Sequence, residues 1–466
     1  MSSDFAFKTI REISSGIAQK DFSPTELLDD VIARYERLEP ELNMFAHVDF
    51  DAARVQARAA EDRIMRSERL SDLDGIPTSI KDLISVKGMP QRFGSRATTA
   101  ALSGVDAPSV ERLRAAGAVI LGKSTTSEFG CKAVGDSPLT GITRNPWNTD
   151  LTPGGSSCGA AAMVAAGLVP YAIGTDGGGS VRIPAALSGV FGIKAHFGRV
   201  AVFPTSATPT LAHVGPLART VEDAAIVLSV IAGYDNRDPF TINGAQPDFV
   251  GATRTHRRMK VAWSPTLGYG RVDPQVASLT EQAVKRIAGI GFDVELVEHV
   301  MDDPIEMWTA EFYAGVGTRL RGIIEEQPDL LDPAVLEVLK LAIGQDMKAY
   351  YASVFARYDF REKMRALFER YDLLLTPTLP VAAFGAGLNI PPGYEDKNIV
   401  SWATFTYPFN LTGQPGASIP VGFTSAGLPV GLQAIASSHD EISIFSMAGA
   451  YERVTDHHKH VRPPVC

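Results

Sequence analysis

Two serines in glycine-rich turns, Ser156 in GGSS and Ser180 in GTDGGGS, follow a lysine, Lys81, in IPTSIKDL. The spacing is 75 residues from Lys81 to Ser156 and 24 from Ser156 to Ser180. A serine hydroxyl becomes a nucleophile when a neighbouring group accepts its proton, and a neutral lysine amine is such a group. Glycines before a serine let successive backbone N–H groups converge with no Cβ in the way, forming the nest that a developing oxyanion needs. Gly177, Gly178 and Gly179 lead into Ser180 and are the expected donors. Lys81 must be neutral to act. At an ordinary pKa of about 10.4 only about one lysine in 2500 is deprotonated at pH 7, so burial must favour the uncharged amine.

The neighbours of these residues carry weaker signals. Asp176 and Arg182 flank the turn of Ser180 and either brace it or form an ordinary surface ion pair. Ser157 is placed to hydrogen-bond within the turn of Ser156. Cys158 opens a helix, where a thiol can be reactive, although a small buried thiol fits the apolar run after it. His196 and His213 leave a Ser-His-Asp arrangement open, with Ser180 and Asp176 as the other members. GAVILGKS, residues 117–124, satisfies the phosphate-loop pattern formally. Its four intervening residues are Ala, Val, Ile and Leu, which read as a buried strand and not as a loop cradling phosphates.

These residues must be held by a large scaffold. SPTELLDDVIARYERLEP begins with Ser23 as cap, Pro24 in the first turn and Glu26 closing a capping box, and its apolar residues recur on one helical face. DAARVQARAAEDRIMRSER reads as a second helix, so residues 1–70 are expected to form a helical layer. Over residues 71–235 apolar runs such as GAVILG, YAIGTD and GVFGIKA alternate with helical patterns such as SVERLRAAG and VEDAAIVLSVIAG. KVAWSP, FDVELV and DLLLTPTLP continue the strands in residues 236–466, with helices rich in Met, Tyr and Phe from about 302 to 370. The pattern predicts an α/β fold: one large domain with a central mixed sheet covered by helices on both sides. ATFTYPFNLTGQPGASIPVGF, full of turn formers, is expected to wall the pocket, with Trp402, Phe405, Tyr407 and Phe409 supplying an apolar surface.

Composition narrows the function. With 44 Lys and Arg against 53 Asp and Glu, the net charge is −9, and no basic block offers a stripe that could track nucleic acid. Three cysteines, Cys131, Cys158 and Cys466, form no framework of paired spacings, which fits a reducing cytoplasm. The opening MSSDFAFKTIREISSG lacks the apolar core of a signal peptide. The uncharged stretch between Asp150 and Asp176 is too rich in Gly and Ala, and too interrupted, for a membrane span; it predicts a buried helix of small residues under a sheet. No His, Cys and Glu cluster has ligand spacing, and DHHKH near the C-terminus reads as a solvated helix end, so no metal or organic cofactor is expected. Oligomeric state is left open, a homodimer included.

The set of motifs closely resembles the amidase signature family. The resemblance runs from IPTSIKDL through RNPWN, GGSSCGAAAMVAAG, GTDGGGSVRIPAALSGVFGIKAHFGRV and HVGPLARTVEDAA to LTPTLP and NLTGQPGASIPVGF. It implies a Ser-cisSer-Lys triad: Ser180 as nucleophile, Ser156 after a cis peptide bond as relay, and Lys81 as base. It implies hydrolysis of a carboxamide through an acyl-enzyme, and the expected wall of Trp402, Phe405, Tyr407 and Phe409 suits an aryl, alkyl or carbamate substrate better than a zwitterionic amino acid. Cys158 departs from the family, which usually has glycine there. With all three triad positions filled, a non-catalytic scaffold is the weaker expectation. The alternative within the family is the glutamine-hydrolysing component of a tRNA-dependent amidotransferase. In those proteins an aspartate seven residues before the Asn of the NLAGLP-like segment receives the glutamine amino group. Here that Asn is Asn410 and the matching position is Ala403, which favours a stand-alone amidohydrolase.

Overall fold

Alternation along the strands sorts the core onto two faces. In the strand Val119–Ser124, Val119 and Leu121 join one apolar cluster and Ile120 another; in Tyr171–Asp176, Ala172 joins the first and Tyr171 and Ile173 the second. Successive side chains of a strand point to opposite faces, so a sheet built from such runs is buried on both. The computed structural model, which describes residues 5–455 and 461–466, has this sheet at its centre.

Its strands are β1 (Phe45–Val48), β2 (Pro77–Lys81), β3 (Val119–Ser124), β6 (Tyr171–Asp176), β7 (Phe191–Lys194), β8 (His213–Ala218), β9 (Lys260–Trp263), β10 (Asp293–Leu296), β11 (Leu373–Pro377), β12 (Gly416–Phe423) and β13 (Pro429–Ala436). Two short segments, β4 (Asp136–Ser137) and β5 (Gly141–Ile142), pair only with each other. The eleven-stranded sheet runs in the order β1, β3, β2, β6, β8, β7, β12, β13, β11, β9, β10. The pairs β3/β2, β2/β6, β11/β9 and β9/β10 are parallel and the others antiparallel, so the sheet is mixed. Helices cover both faces, and the chain forms a single α/β domain.

Helices Ile10–Gln19, Val221–Ile231 and Glu441–Thr455 supply residues to one apolar cluster; Pro24–Leu42 and Cys158–Ala165 supply another. The Ser23/Glu26 capping box is present, with Pro24 in the first turn. Cys158–Ala165 is buried at every position, and its Ala and Gly residues let it pack against β2 and β6. Ile305–Arg319, Pro333–Ile343 and Met347–Leu367 form a third cluster with Ala262, Leu374 and Ile435 of the sheet.

Two expectations need correction. The first seventy residues are not purely helical, because β1 pairs antiparallel with β3 and forms one edge of the sheet; four residues are too few to display a period. The C-terminal segment read as turns holds β12, which pairs with both β7 and β13. Its Gly416, Pro420 and Gly422 mask the strand, and the ladder shifts register between Pro420 and Gly422. Within GAVILGKS, β3 is buried throughout and Lys123 pairs with Asp82 at 3.2 Å, so the segment is a strand. DHHKH, residues 456–460, lies outside the described residues.

Candidate active site

Lys81 is the last residue of β2, and the parallel neighbour β6 ends on Thr175 and Asp176. Ligands of open α/β sheets gather at the carboxyl ends of parallel strands, and the site lies there. Lys81 is fully buried. Its Nζ lies 2.7 Å from Ser156 Oγ, 2.9 Å from Ser157 Oγ and 2.9 Å from Thr175 Oγ1. Burial pulls its pKa from 10.5 to about 7, so near neutral pH a large fraction of the amine is uncharged. The Ser157 hydroxyl donates to the Thr175 carbonyl at 3.2 Å, so it accepts from Lys81. A neutral amine donates twice and accepts once, which leaves its lone pair for the hydroxyl of Ser156 or Thr175.

The turn carrying Ser156 is fastened to the turn carrying Ser180. The Gly155–Ser156 peptide bond is cis. Ser157 N–H donates to the Ser180 carbonyl at 3.2 Å, and Thr175 N–H donates to Ser157 Oγ at 3.3 Å. Ser156 and Ser180 both face one cavity. No hydrogen bond joins their hydroxyls, and Ser156 Oγ is bonded to Lys81 Nζ.

Asp176 and Arg182 form no surface pair. Both side chains are fully buried, 2.9 Å apart. The carboxylate accepts from Gly179 N–H at 2.8 Å and Val181 N–H at 3.2 Å, fixing the turn around Ser180. All five N–H groups of Arg182 are used: two on Asp176, and the others on the Thr406 carbonyl, Gln433 Oε1 and Asn410 Oδ1. Burial alone would raise the Asp176 carboxyl; the Arg182 guanidinium outweighs it and holds the group well below the usual carboxylate range. Gly179 therefore departs from its expected role, because its N–H is committed to Asp176. The N–H groups of Gly177, Gly178 and Ser180 take no acceptor among the described residues. The carbonyls of Gly177 and Gly178 are held by Trp308 Nε1 at 2.8 Å and Thr406 Oγ1 at 2.7 Å, which fixes the peptide planes.

The histidine alternative is not assembled. His213 Nδ1 lies 2.8 Å from the Leu211 carbonyl and 3.2 Å from the Asp176 carbonyl, and its Nε2 faces Lys194 Nζ at 3.4 Å. The Asp176 carboxylate is turned to Arg182 instead. Burial, with Lys194 next, keeps the His213 imidazolium strongly disfavoured. His196 packs against His439 and does not line the cavity. Cys158 is a buried thiol hydrogen-bonded to Thr125, its pKa raised by burial, which leaves it inert.

The cavity measures about 430 Å³. Trp402, Phe405, Tyr407 and Phe409, the expected wall, are fully buried in the core and do not line it. Trp402 packs edge-on against Phe384, and Tyr407 donates to Asp303 at 2.6 Å. The lining comes instead from Leu83, Phe93 and Phe129, from the loop 201–208, and from Phe312, Val316 and Arg319. Phe93 and Phe129 stack at 5.8 Å, and both have left-handed backbones, with φ of 53° and 49°. Bulky residues avoid that region, and such outliers gather at functional sites.

A family model for amidases matches residues 26–445. The chain belongs to the amidase signature family. It is 36% identical to an acylamidase of Rhodococcus erythropolis over 95% of this chain and 94% of the relative. It is also 36% identical to the A component of the glutamyl-tRNA(Gln) amidotransferase of Methylococcus capsulatus, over 97% of this chain and 98% of that one. Among solved structures, a bacterial aryl acylamidase superposes with a TM-score of 0.90 at 29% identity, covering 97% of each chain. A 6-aminohexanoate cyclic dimer hydrolase superposes with a TM-score of 0.91 at 27% identity, covering 99% of this chain and 100% of that one. This amidase signature enzyme is a hydrolase acting on amides. Among its described residues no helix is long and apolar enough to cross a membrane.

Proposed function

We propose that this protein is a stand-alone amidohydrolase that cleaves a carboxamide through an acyl-enzyme on Ser180. The observation that carries this reading is Lys81: a fully buried amine, with a pKa brought to about 7, in contact with the hydroxyl of Ser156 on the floor of the cavity that Ser180 also faces. Ser180 Oγ attacks the carbonyl carbon, and its proton passes through Ser156 to Lys81. The oxyanion is received by the N–H groups of Gly177, Gly178 and Ser180. The carbon–nitrogen bond then breaks, and the proton returns by the same route to the departing amine. Water adds to the acyl-enzyme, gives its proton to Lys81 through Ser156, and releases the acid and Ser180. Ser157 and Thr175 hold the amine in place, and Asp176 with Arg182 holds the turn.

The apolar walls of the cavity suit an aryl or alkyl amide or a carbamate. The similarity to glutamyl-tRNA(Gln) amidotransferases supports a second reading, glutamine hydrolysis for a partner. Against it, Ala403 is buried away from the cavity, and Asp176, the single carboxylate lining it among the described residues, is fully engaged. The cysteines are unpaired, which supports a reducing, cytoplasmic setting. The test is amine and ammonia release from anilides, aliphatic amides, carbamates and glutamine, comparing wild type with Ser180→Ala. Turnover of apolar amides lost in the variant supports the proposal; ammonia from glutamine alone transfers the protein to the second reading.

A further inference from the structure

Among the described residues two charged side chains line the cavity, and they differ in circumstance. Asp176 is neutralised beneath the floor by Arg182. Arg319 is exposed, in the last turn of the helix Ile305–Arg319, and forms no ion pair among the described residues. Among the described residues it makes one hydrogen bond, from Nη2 to the Thr205 carbonyl at 3.1 Å, which lays the guanidinium against the loop that walls the cavity. Four of its five N–H groups are left over. On the same loop the Ser206 and Thr208 hydroxyls lie 3.3 Å apart, and Ser206 Oγ accepts from Thr208 N–H. Two hydroxyl hydrogens serve one mutual bond there, so one remains to be donated. Away from the Ser180 turn much of the lining is apolar, and the Gln91 amide there is satisfied by Ser85 and the Leu83 carbonyl.

We propose that Arg319, with the Ser206 and Thr208 hydroxyls, receives a carboxylate carried by the substrate beyond the scissile amide, so that the preferred substrates are amides bearing one negative charge and no ammonium. This rests on the amidohydrolase reading and names its substrate class. A guanidinium at the rim of a low-dielectric cleft attracts anions toward it and pairs with a carboxylate in bidentate fashion. A zwitterion gains less, because the cavity has no free carboxylate for its ammonium. An otherwise apolar cavity then serves the segment between the two ends, holding the amide over Ser180 while the acid stays at the rim.

The test uses p-nitroanilides of succinic, glutaric and adipic acid, each as free acid and as methyl ester, and a second series with the carboxylate on the aniline ring. Free acids are expected to exceed their esters in kcat/KM by roughly tenfold at the best length, the factor equivalent to about 1.4 kcal/mol of charge-assisted bonding. The advantage should shrink as salt is raised, since the rim is screened. Arg319→Gln should bring the acid-to-ester ratio close to one, chiefly through KM, and Arg319→Lys should keep part of it. A ratio near one in wild type for both series, or an unchanged ratio in Arg319→Gln, overturns the proposal and confines Arg319 to the end of its helix. If wild type cleaves no amide at all, the reaction reading fails separately. Binding of glutaric monoanilide to Ser180→Ala protein, by calorimetry, then decides: weaker binding when Arg319→Gln is added supports the anion site, and equal or absent binding overturns it.

Discussion

Lys81→Met replaces a buried amine by an apolar side chain of similar length and tests the neutral-lysine argument without measuring catalysis. The drop from 10.5 to about 7, at about 1.4 kcal/mol for each pH unit, makes the folded protein about 5 kcal/mol less stable at pH 7 than it would be with an indifferent group there. Against this stand three hydrogen bonds, to Ser156, Ser157 and Thr175, which contribute about 3 kcal/mol together. The variant should therefore be about 2 kcal/mol more stable than wild type at pH 7. The sign follows from proton counting. Between pH 7 and 10.5 the unfolded chain holds a proton that folded Lys81 has released, so this group makes stability rise with pH in that window; below pH 7 the full penalty persists. The advantage of Lys81→Met should vanish near about pH 8.5 and reverse above it. Urea unfolding of both proteins at several pH values between 7 and 10 measures this. Curves that stay parallel across the window would refute the reasoning, since Lys81 would then titrate alike in folded and unfolded chains.

Amide hydrolysis by wild type should fall as pH is lowered through about 7, because protonation of Lys81 removes the proton acceptor; a rate profile flat from pH 6 to 9 would contradict this. Ser180→Ala should lose both turnover and labelling by a fluorophosphonate, and retention of label would place the reactive serine elsewhere. Arg182→Met leaves the buried Asp176 carboxylate without its counter-ion and should destabilise by about 3 to 5 kcal/mol in urea unfolding; a loss under about 1 kcal/mol would mean that the carboxylate is readily solvated. Phe129→Gly removes the left-handed strain, on the order of 1 kcal/mol, together with a stacking contact of similar size. Stability should change little while KM for anilides rises, and an unaltered KM would show that the stacked pair does not meet the substrate.

Local chemistry was the most legible part of the sequence. The capping box at Ser23 and Glu26, the small-residue helix after Ser157 and the apolar strand ending in Lys81 each declare themselves within a few residues. Lys81, Ser156 and Ser180 could be marked because glycine turns and a lysine in an apolar run are local signals. The cavity walls were not legible, since they come from segments as distant as Leu83, Phe203 and Phe312, which only the closed sheet brings together. Trp402, Phe405 and Tyr407 misled because an aromatic run among turn formers reads the same whether it faces a pocket or the core. The burial of the Asp176–Arg182 pair was equally hidden, because its further partners, Thr406, Asn410 and Gln433, stand more than 200 residues away. A signal for the cavity did exist in Arg319, a cation ending a helix of mainly apolar residues, but nothing in the sequence says which loop it meets.

That long-range anchoring governs when the turn around Ser180 comes into being. The turn containing Ser180 is held from below by Arg182, and Arg182 reaches its full set of acceptors only when Gln433 on β13 is in place. A nascent chain that has emerged through residue 400 carries Lys81, Ser156 and Ser180, yet lacks the groups that draw a buried guanidinium into position. Contacts closing loops of this length form late, after local helices and neighbouring strands. A chain that ends before β13 holds Lys81, Ser156 and Ser180 without the acceptor that completes the Arg182 anchor, so on the proposed amidohydrolase reading amide hydrolysis is expected only once the last strands have docked.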